Sequence, residues 1–366
     1  MIESEIAVPP PRRRRWLWLV LVVFAFLSAV FGIVFYRTPT QVAIAAVGGS
    51  LEYDSTNPRL AQFAHQVLRQ PMDRNLYMGP RDLTRHPLFQ VDNPQLRDEH
   101  LLQLDLDPLG KLYTVDISGP QVTDIGFAHV AKSPVKITIL VCRNSRITDA
   151  GLASLSQSSN LSYLVIPGNS ITDRGLESIS ALQRLSYLHL GDTLVTDSGL
   201  ASSIPRLSGL NCLDIRNTEI TDAGLGCLAD SQNSMSLKVI SLDTLQATDV
   251  GIQHLRERSV PLDGIGLSGI SARKQSRLGR SGMASSTGID DALLARVSTL
   301  STLRFVCLYG TVPNEVAVIT PAAAKSLKAM PALTGLYLFG IRLPQQTLQE
   351  IDRQAPKVKV VNFAPQ

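Results

Sequence analysis

Along the middle of the chain apolar and polar positions recur in one fixed phrase. VTDIGFAHV (122–130), ITDAGLASL (147–155), ITDRGLESI (171–179), VTDSGLASS (195–203), ITDAGLGCL (220–228) and ATDVGIQHL (247–255) place their threonines 24 to 27 residues apart. Eleven, eight and six residues before the threonine stands an apolar residue: Leu161, Leu164 and Ile166 before Thr172, Leu185, Leu188 and Leu190 before Thr196, Leu210, Leu213 and Ile215 before Thr221. The unit therefore reads L-x-x-L-x-L-x-x-[NST]-x-[IV]-T-D-x-G-L-x-x-L. Self-similarity at this period marks stacked supersecondary units.

The pattern predicts the parts of one unit. Alternation in Y-L-V-I and Y-L-H-L suits a short strand with one buried face. Polar Asn169, Thr193 and Thr218 then fill a turn, where side-chain hydrogen bonds satisfy the backbone. The aspartates Asp124, Asp149, Asp173, Asp197, Asp222 and Asp249 are expected to cap short helices, because a carboxylate accepts from free first-turn amides and favours the positive end of the dipole. The glycine two residues on permits tight packing. One unit cannot bury its own leucines; several stacked units make a continuous core.

These residues carry a resemblance. The unit resembles a leucine-rich repeat of the T-D-x-G-L type found in some bacterial envelope proteins and, with added cysteines, in F-box-type substrate receptors. The cysteine of the second group is absent after the strand, where Ser145, Asn169, Thr193 and Thr218 stand, so the bacterial kind is the closer match. The resemblance covers about residues 101–362, more weakly VAIAAVGGSLEYD (42–54). It implies an α/β solenoid, with short parallel strands on a concave face and short helices on a convex one.

The flanks place that solenoid (111–362) behind three other segments. Residues 1–15 form a basic tail ending in PPPRRRR. Trp16 to Tyr36 runs 21 residues without a charge. At about 1.5 Å per residue it spans roughly 31 Å of helix, against a hydrocarbon core of about 30 Å. Trp16, Trp18 and Tyr36 sit at its ends, where amphipathic aromatics favour the interface. Arg12 to Arg15 before it and Arg37 alone after it predict a single-pass anchor with the N-terminus in the cytoplasm and the repeats outside. A cleaved signal peptide is the alternative, with Ala43-Ile44-Ala45 as the small-x-small site. Residues 37–110 read as a linker and N-terminal cap: Leu60–Gln70 as a short helix, Pro71–Asn93 as irregular, LLQLDLD (101–107) as the strand that opens the sheet.

Past Leu255 the pattern loosens. SGISARKQSRLGRSGMASSTG, within an insert at 268–288, carries Arg273, Lys274, Arg277 and Arg280 without an acid. It reads as a disordered basic loop, with docking of an anionic envelope polymer as a second possibility. IDDALLARV, LRFVCL, ITPAAAKSL, LTGLYL, LPQQTLQEI and KVKVVNF restore the units, the last as the closing strand.

Charge and reactive groups narrow the function. The net charge is +4, but the remainder after Arg37 holds 30 basic against 29 acidic residues, which removes the global case for nucleic acid. Cys142, Cys212, Cys227 and Cys307 fall too far apart in the repeat register for bridges, since neighbouring strands lie about 5 Å apart. No C-x-x-C, H-E-x-x-H, G-x-S-x-G, Walker or G-x-G-x-x-G motif occurs. The aspartate column supplies too few oxygens per step for a calcium ladder. No metal and no cofactor is expected. A hydrolase site built from Asp54, His65 and His86 in the cap is a remote alternative.

The working surface is then the concave sheet face. Aromatics make up 5% of the chain, yet Tyr163, Tyr187, Phe305, Tyr309, Tyr337 and Phe339 all fall on outward strand positions. With His189, Asp214, Arg216 and Asp243 they have the composition of a recognition surface; shielding of the sheet is the bland counterpart. The expectation is a non-enzymatic module that binds a protein or an envelope polymer through Tyr163, Tyr187, His189, Asp214, Arg216, Asp243, Tyr309, Tyr337 and Phe339, with a passive envelope scaffold as the alternative.

Overall fold

The structure is a computed structural model that describes residues 49–52, 88–91, 96–103, 114–133, 137–230, 236–278, 288–310, 315–316 and 318–363. The anchor segment 16–36, the short helix at 60–70 and the triad Asp54, His65 and His86 lie outside the described residues. Among the described residues no helix is long and apolar enough to cross a membrane.

One twelve-stranded sheet runs the length of the array. Its strands are β1 (Gly49–Glu52), β2 (Leu88–Val91), β3 (Thr114–Asp116), β4 (Ile139–Val141), β5 (Tyr163–Val165), β6 (Tyr187–His189), β7 (Cys212–Asp214), β8 (Val239–Asp243), β9 (Gly264–Ser268), β10 (Phe305–Tyr309), β12 (Gly335–Phe339) and β14 (Lys359–Phe363). They follow one another in chain order, each parallel to the last except the antiparallel β1 and β2. β11 (Glu315–Val316) and β13 (Ile341–Arg342) form a separate parallel ribbon. Strand, turn and short helix recur as the leucine spacing predicts, an α/β solenoid of leucine-rich repeats. Leu140, Leu164, Leu188 and Leu213 from the strands join Leu152, Leu176, Leu200 and Leu225 from the helices in one fully buried core. Burying such a leucine contributes about 1.5–3 kcal/mol. Four consecutive units therefore supply more than any polar contact between them.

The T-D-x-G phrase works differently from the expected capping by aspartate. The N-cap is the threonine: the hydroxyl oxygens of Thr123, Thr148, Thr172, Thr196 and Thr248 accept from backbone amides of their own helices. Thr221 does the same for the amide of Ala223. The aspartate occupies the first helical position and its carboxylate serves the next unit. Asp124 accepts from the backbone N and the hydroxyl of Thr148 (2.8 and 2.5 Å). Asp149 does so for Thr172, Asp173 for Thr196 and Asp197 for Thr221. Asp222 takes the hydroxyl of Thr248 (2.5 Å). The glycine makes room for this rung. A Cβ on Gly126, Gly151, Gly175, Gly199, Gly224 or Gly251 would stand 2.2 to 2.8 Å from the preceding unit's aspartate Oδ1.

Two boundaries differ from the sequence reading. The start of LLQLDLD is not strand: Leu101 and Leu102 end the helix Asp98–Leu102, with Leu101 fully buried, and residues 104–107 lie outside the described residues. In R-D-E-H-L, Asp98 stands where each repeat has its aspartate, and it accepts from Thr123 N and Oγ1 (2.8 and 2.5 Å). β2, inside the stretch read as irregular, is the strand of this earlier unit. The alternation of leucines misleads because Asp98 and Glu99 begin a helix, where acids are favoured.

The first part of the basic insert is the second difference; residues 279–287 lie outside the described residues. Ala272–Arg277 is helical, and Lys274 is 4% exposed with its ammonium 2.9 Å from Asp243 Oδ2. Disorder follows from composition alone; the acids that pair this segment lie in earlier repeats. Beyond it, Asp291–Val297, Ala323–Lys328 and Gln345–Gln354 restore the helices.

Candidate functional site

The outward strand positions register in rows. One row runs Ile139, Tyr163, Tyr187, Cys212, Val239, Gly264, Phe305 and Gly335; the next runs Val141, Val165, His189, Asp214, Ser241, Gly266, Cys307 and Tyr337. These side chains form two apolar clusters separate from the main core. Ile139, Val141, Val165 and Tyr187 make one, with Tyr163 and Cys212 against it. Val239, Phe305, Cys307 and Tyr309 make the other, with Tyr337 and Phe339 against it.

The aromatics lie in pairs. Tyr163 and Tyr187 stack with centroids 5.8 Å apart, Tyr309 and Phe339 stack at 5.0 Å, and Phe305 meets Tyr337 edge-on at 6.3 Å. Offset-stacked and edge-on pairs at this range are favourable beyond their buried area. Small residues let the rings lie down on the sheet. A Cβ on Gly264 would stand 2.1 Å from Cζ of the Phe305 ring, and one on Gly266 would stand 3.0 Å from Cε2 of Tyr309. Tyr187 and Tyr309 are consequently buried (4% exposed each), whereas Tyr163, Tyr337 and Phe339 are half-buried. Shielding of the sheet describes the first two; the other three keep accessible surface.

A charged group sits between the clusters. Asp214, 1% exposed, accepts from Arg216 Nε (2.9 Å) and Nη2 (2.5 Å), and His189 Nε2 stands 3.3 Å from it. The Arg216 guanidinium lies over the Tyr309 ring, 3.9 Å from its centroid, a cation–π contact that strengthens when desolvated. Burial alone would raise the Asp214 carboxyl, but Arg216 and His189 outweigh it and hold it below the usual carboxylate range. Burial opposes the Arg216 charge, and Asp214 in turn holds that group above its ordinary value. Desolvation pushes the Tyr309 hydroxyl well up and Tyr163 up.

Asp243 is not part of this outward group. It is fully buried, accepts from the amides of Asn217 and Leu245 (2.8 Å each), and pairs with Lys274. The fixed polar groups that sequence reasoning missed are Lys274, which donates to Asp243 and Thr218 O, and Asp192 and Asn217, which both accept from Ser271. Their only sequence signal is the hydroxyl and cation spacing Ser271, Lys274 and Arg277.

The arrangement offers little for group transfer. His189, Asp214 and Ser241 share a row, but the carboxylate stands between the imidazole and the hydroxyl, the wrong order for a nucleophile relay. The four cysteines are unpaired, and burial pushes the Cys142 thiol up to about 12, which leaves it protonated. Among the described residues no group of three or more His, Cys, Asp or Glu side chains is placed to hold a metal ion.

No protein-family model matches the chain, and no curated protein matches it. Solved structures resemble it at low identity. A leucine-rich-repeat protein of Leptospira interrogans is 15% identical with a TM-score of 0.35, over 72% of this chain and 62% of that one. The yeast Rad7 and Elc1 complex gives 14% and 0.38, over 98% and 94%. An internalin of Listeria monocytogenes gives 17% and 0.28, over 85% and 96%.

Proposed function

We propose that the chain is a non-enzymatic, membrane-anchored leucine-rich-repeat module that holds another protein against the outer face of its sheet. The observation that carries this reading is the concentration of paired aromatics on one face, with Tyr163, Tyr337 and Phe339 half-buried beside the charged Asp214 and Arg216. Rigid rings bury large area at small conformational cost, which is why they anchor interfaces. Trp16 to Tyr36 supplies the anchor, and the arginine bias before it directs the repeats to the outside of the cytoplasmic membrane.

A photo-crosslinking residue placed singly at 163, 337 or 339, with 174 and 177 on the exposed helix side as controls, tests the face. A discrete protein adduct from the first three positions alone is expected. Equal adducts at both sets, or none at any, overturn the reading in favour of a passive scaffold, for which the burial of Tyr187, Phe305 and Tyr309 speaks. Retention in the membrane pellet after alkaline carbonate, with protease digestion of the repeats from outside intact cells, tests the anchor and its orientation.

A further inference from the structure

The helix Ala272–Arg277 is an addition to the repeat plan, and it is held by polar contacts to residues 31 to 84 positions earlier in the chain. Ser271 caps it, accepting from Lys274 N (3.2 Å). The same hydroxyl donates to Asp192 Oδ1, and Ser271 N donates to Asn217 Oδ1 (2.8 Å). One turn on, Lys274 Nζ donates to Thr218 O (2.6 Å) and Asp243 Oδ2 (2.9 Å). A further turn on, Arg277 Nη2 donates to Asn217 O (2.6 Å) and Nε pairs with Glu219 at 3.0 Å. The acceptors belong to the repeats and the cations to the insert.

No apolar side chain of this helix is buried. Ala272, Arg273, Ser276 and Leu278 are exposed, and Lys274 is the only residue of the helix buried below a tenth. The notch that receives Lys274 does not depend on it. Asp243 is fixed by the amides of Asn217, Leu245 and Gln246 (2.8, 2.8 and 3.2 Å), and Thr218 O belongs to a repeat turn. Asp192 and Asn217 hold left-handed backbones (φ 59° and 60°) at equivalent turns of neighbouring units, so the receiving surface is part of the solenoid itself.

We propose that the strand-end turns carrying Asp192, Asn217, Thr218, Glu219 and Asp243 form a receptor site for a basic helical segment with a hydroxyl, a lysine and an arginine at three-residue spacing, and that Ala272–Arg277 is its resident, displaceable occupant. A buried lysine with two anionic or carbonyl acceptors gives such a site selectivity for an ammonium of that reach. The resident helix lowers the apparent affinity for any competitor by the fraction of time the notch is closed.

The full chain carrying Lys274→Ala and Arg277→Ala keeps every acceptor while removing both cations. The probe is a labelled synthetic peptide with the sequence of residues 268–280, SGISARKQSRLGR. The doubly substituted chain is expected to bind it at least about ten-fold more tightly than the wild type, whose notch is occupied. Adding Asp243→Asn, or replacing the peptide's lysine by alanine, is expected to abolish that binding. Cleavage by trypsin after Arg273 should be on the order of 100-fold faster in Lys274→Ala than in the wild type, since removing one partner of a buried pair undoes its hold. Thermal unfolding confirms that each variant is folded. Equal peptide binding by both chains, no binding by a folded double variant, or unchanged cleavage in Lys274→Ala overturns the proposal.

Discussion

The array before Asp249 and the array after it stack in different ways on their helix side. Before it, the joints from Asp98–Thr123 through Asp197–Thr221 are the same, an aspartate bonding the backbone and hydroxyl of the next unit's threonine, and Asp222 keeps the hydroxyl bond to Thr248. After it, the joint is improvised. Asp249, with its side chain 88% exposed, pairs with Arg296 Nε at 2.9 Å, and Asp290 takes the capping role, accepting from Leu293 N. The rung returns once, where Asp291 receives Thr320. The sheet and the core run through both halves without interruption. Strand pairing and leucine burial therefore suffice to stack units, and the rung sets the spacing of helices where nothing else does. An insertion is tolerated because lengthening a surface loop costs little.

The largest expected effect tests what the halves share. Leu188→Ala in the regular half and Leu308→Ala in the other, both fully buried, should each cost about 2–5 kcal/mol in urea unfolding. A cost confined to one half would break the idea of a common core. Next comes the space reserved for the rung. Gly175→Ala puts a methyl 2.4 Å from Asp149 Oδ1 between two helices and should cost about 1–3 kcal/mol. Gly340→Ala in the second half meets nothing within 4 Å, and its left-handed backbone alone should cost about 1 kcal/mol. The rung itself is smaller. Asp173→Ala leaves Thr196 N and Oγ1 unmet and should cost about 1–2 kcal/mol. Asp249→Ala, an exposed pair, should stay within about 0.5 kcal/mol. Equal losses would show that the rung does not distinguish the halves.

Much of this division is legible in the sequence, for reasons that differ by position. Thr, Asp and Gly recur because the first caps a helix, the second bridges to the next unit and the third leaves space for that bridge. The unit of Asp98 escapes notice because Arg97 and His100 replace the threonine and glycine. The insert reads as disordered because Lys274 and Arg277 find their acceptors in turns far back along the chain, and composition cannot show a non-local pairing. On the outer face, alternation tells which way Tyr187 and Tyr309 leave the backbone. It does not tell that glycines at 264 and 266 and stacked neighbours let the rings lie flat, so the face is more closed than a count of outward aromatics implies.

The smallest effect separates two aspartates by the sign of their pH dependence. Asp214 on the outer face is held below the usual carboxylate range because Arg216 and His189 outweigh its burial. Its ionised form therefore favours the fold, a contribution present above the unfolded-state value of about 4 and lost as pH falls through the folded value. Asp192 beneath the insert is shifted the other way: burial raises it, and Ser271, Arg273, Arg277 and Arg216 only partly offset this. Its charge opposes folding, so this contribution improves as pH falls through the raised value. Urea midpoints taken from pH 7 to pH 3 should thus lose their steepest acid decline in Asp214→Asn and lose a shallow gain at higher pH in Asp192→Asn. If Asp192→Asn instead removes the acid decline, then Arg273 and Arg277 outweigh its burial, and the notch under the insert stabilises charge as the outer face does.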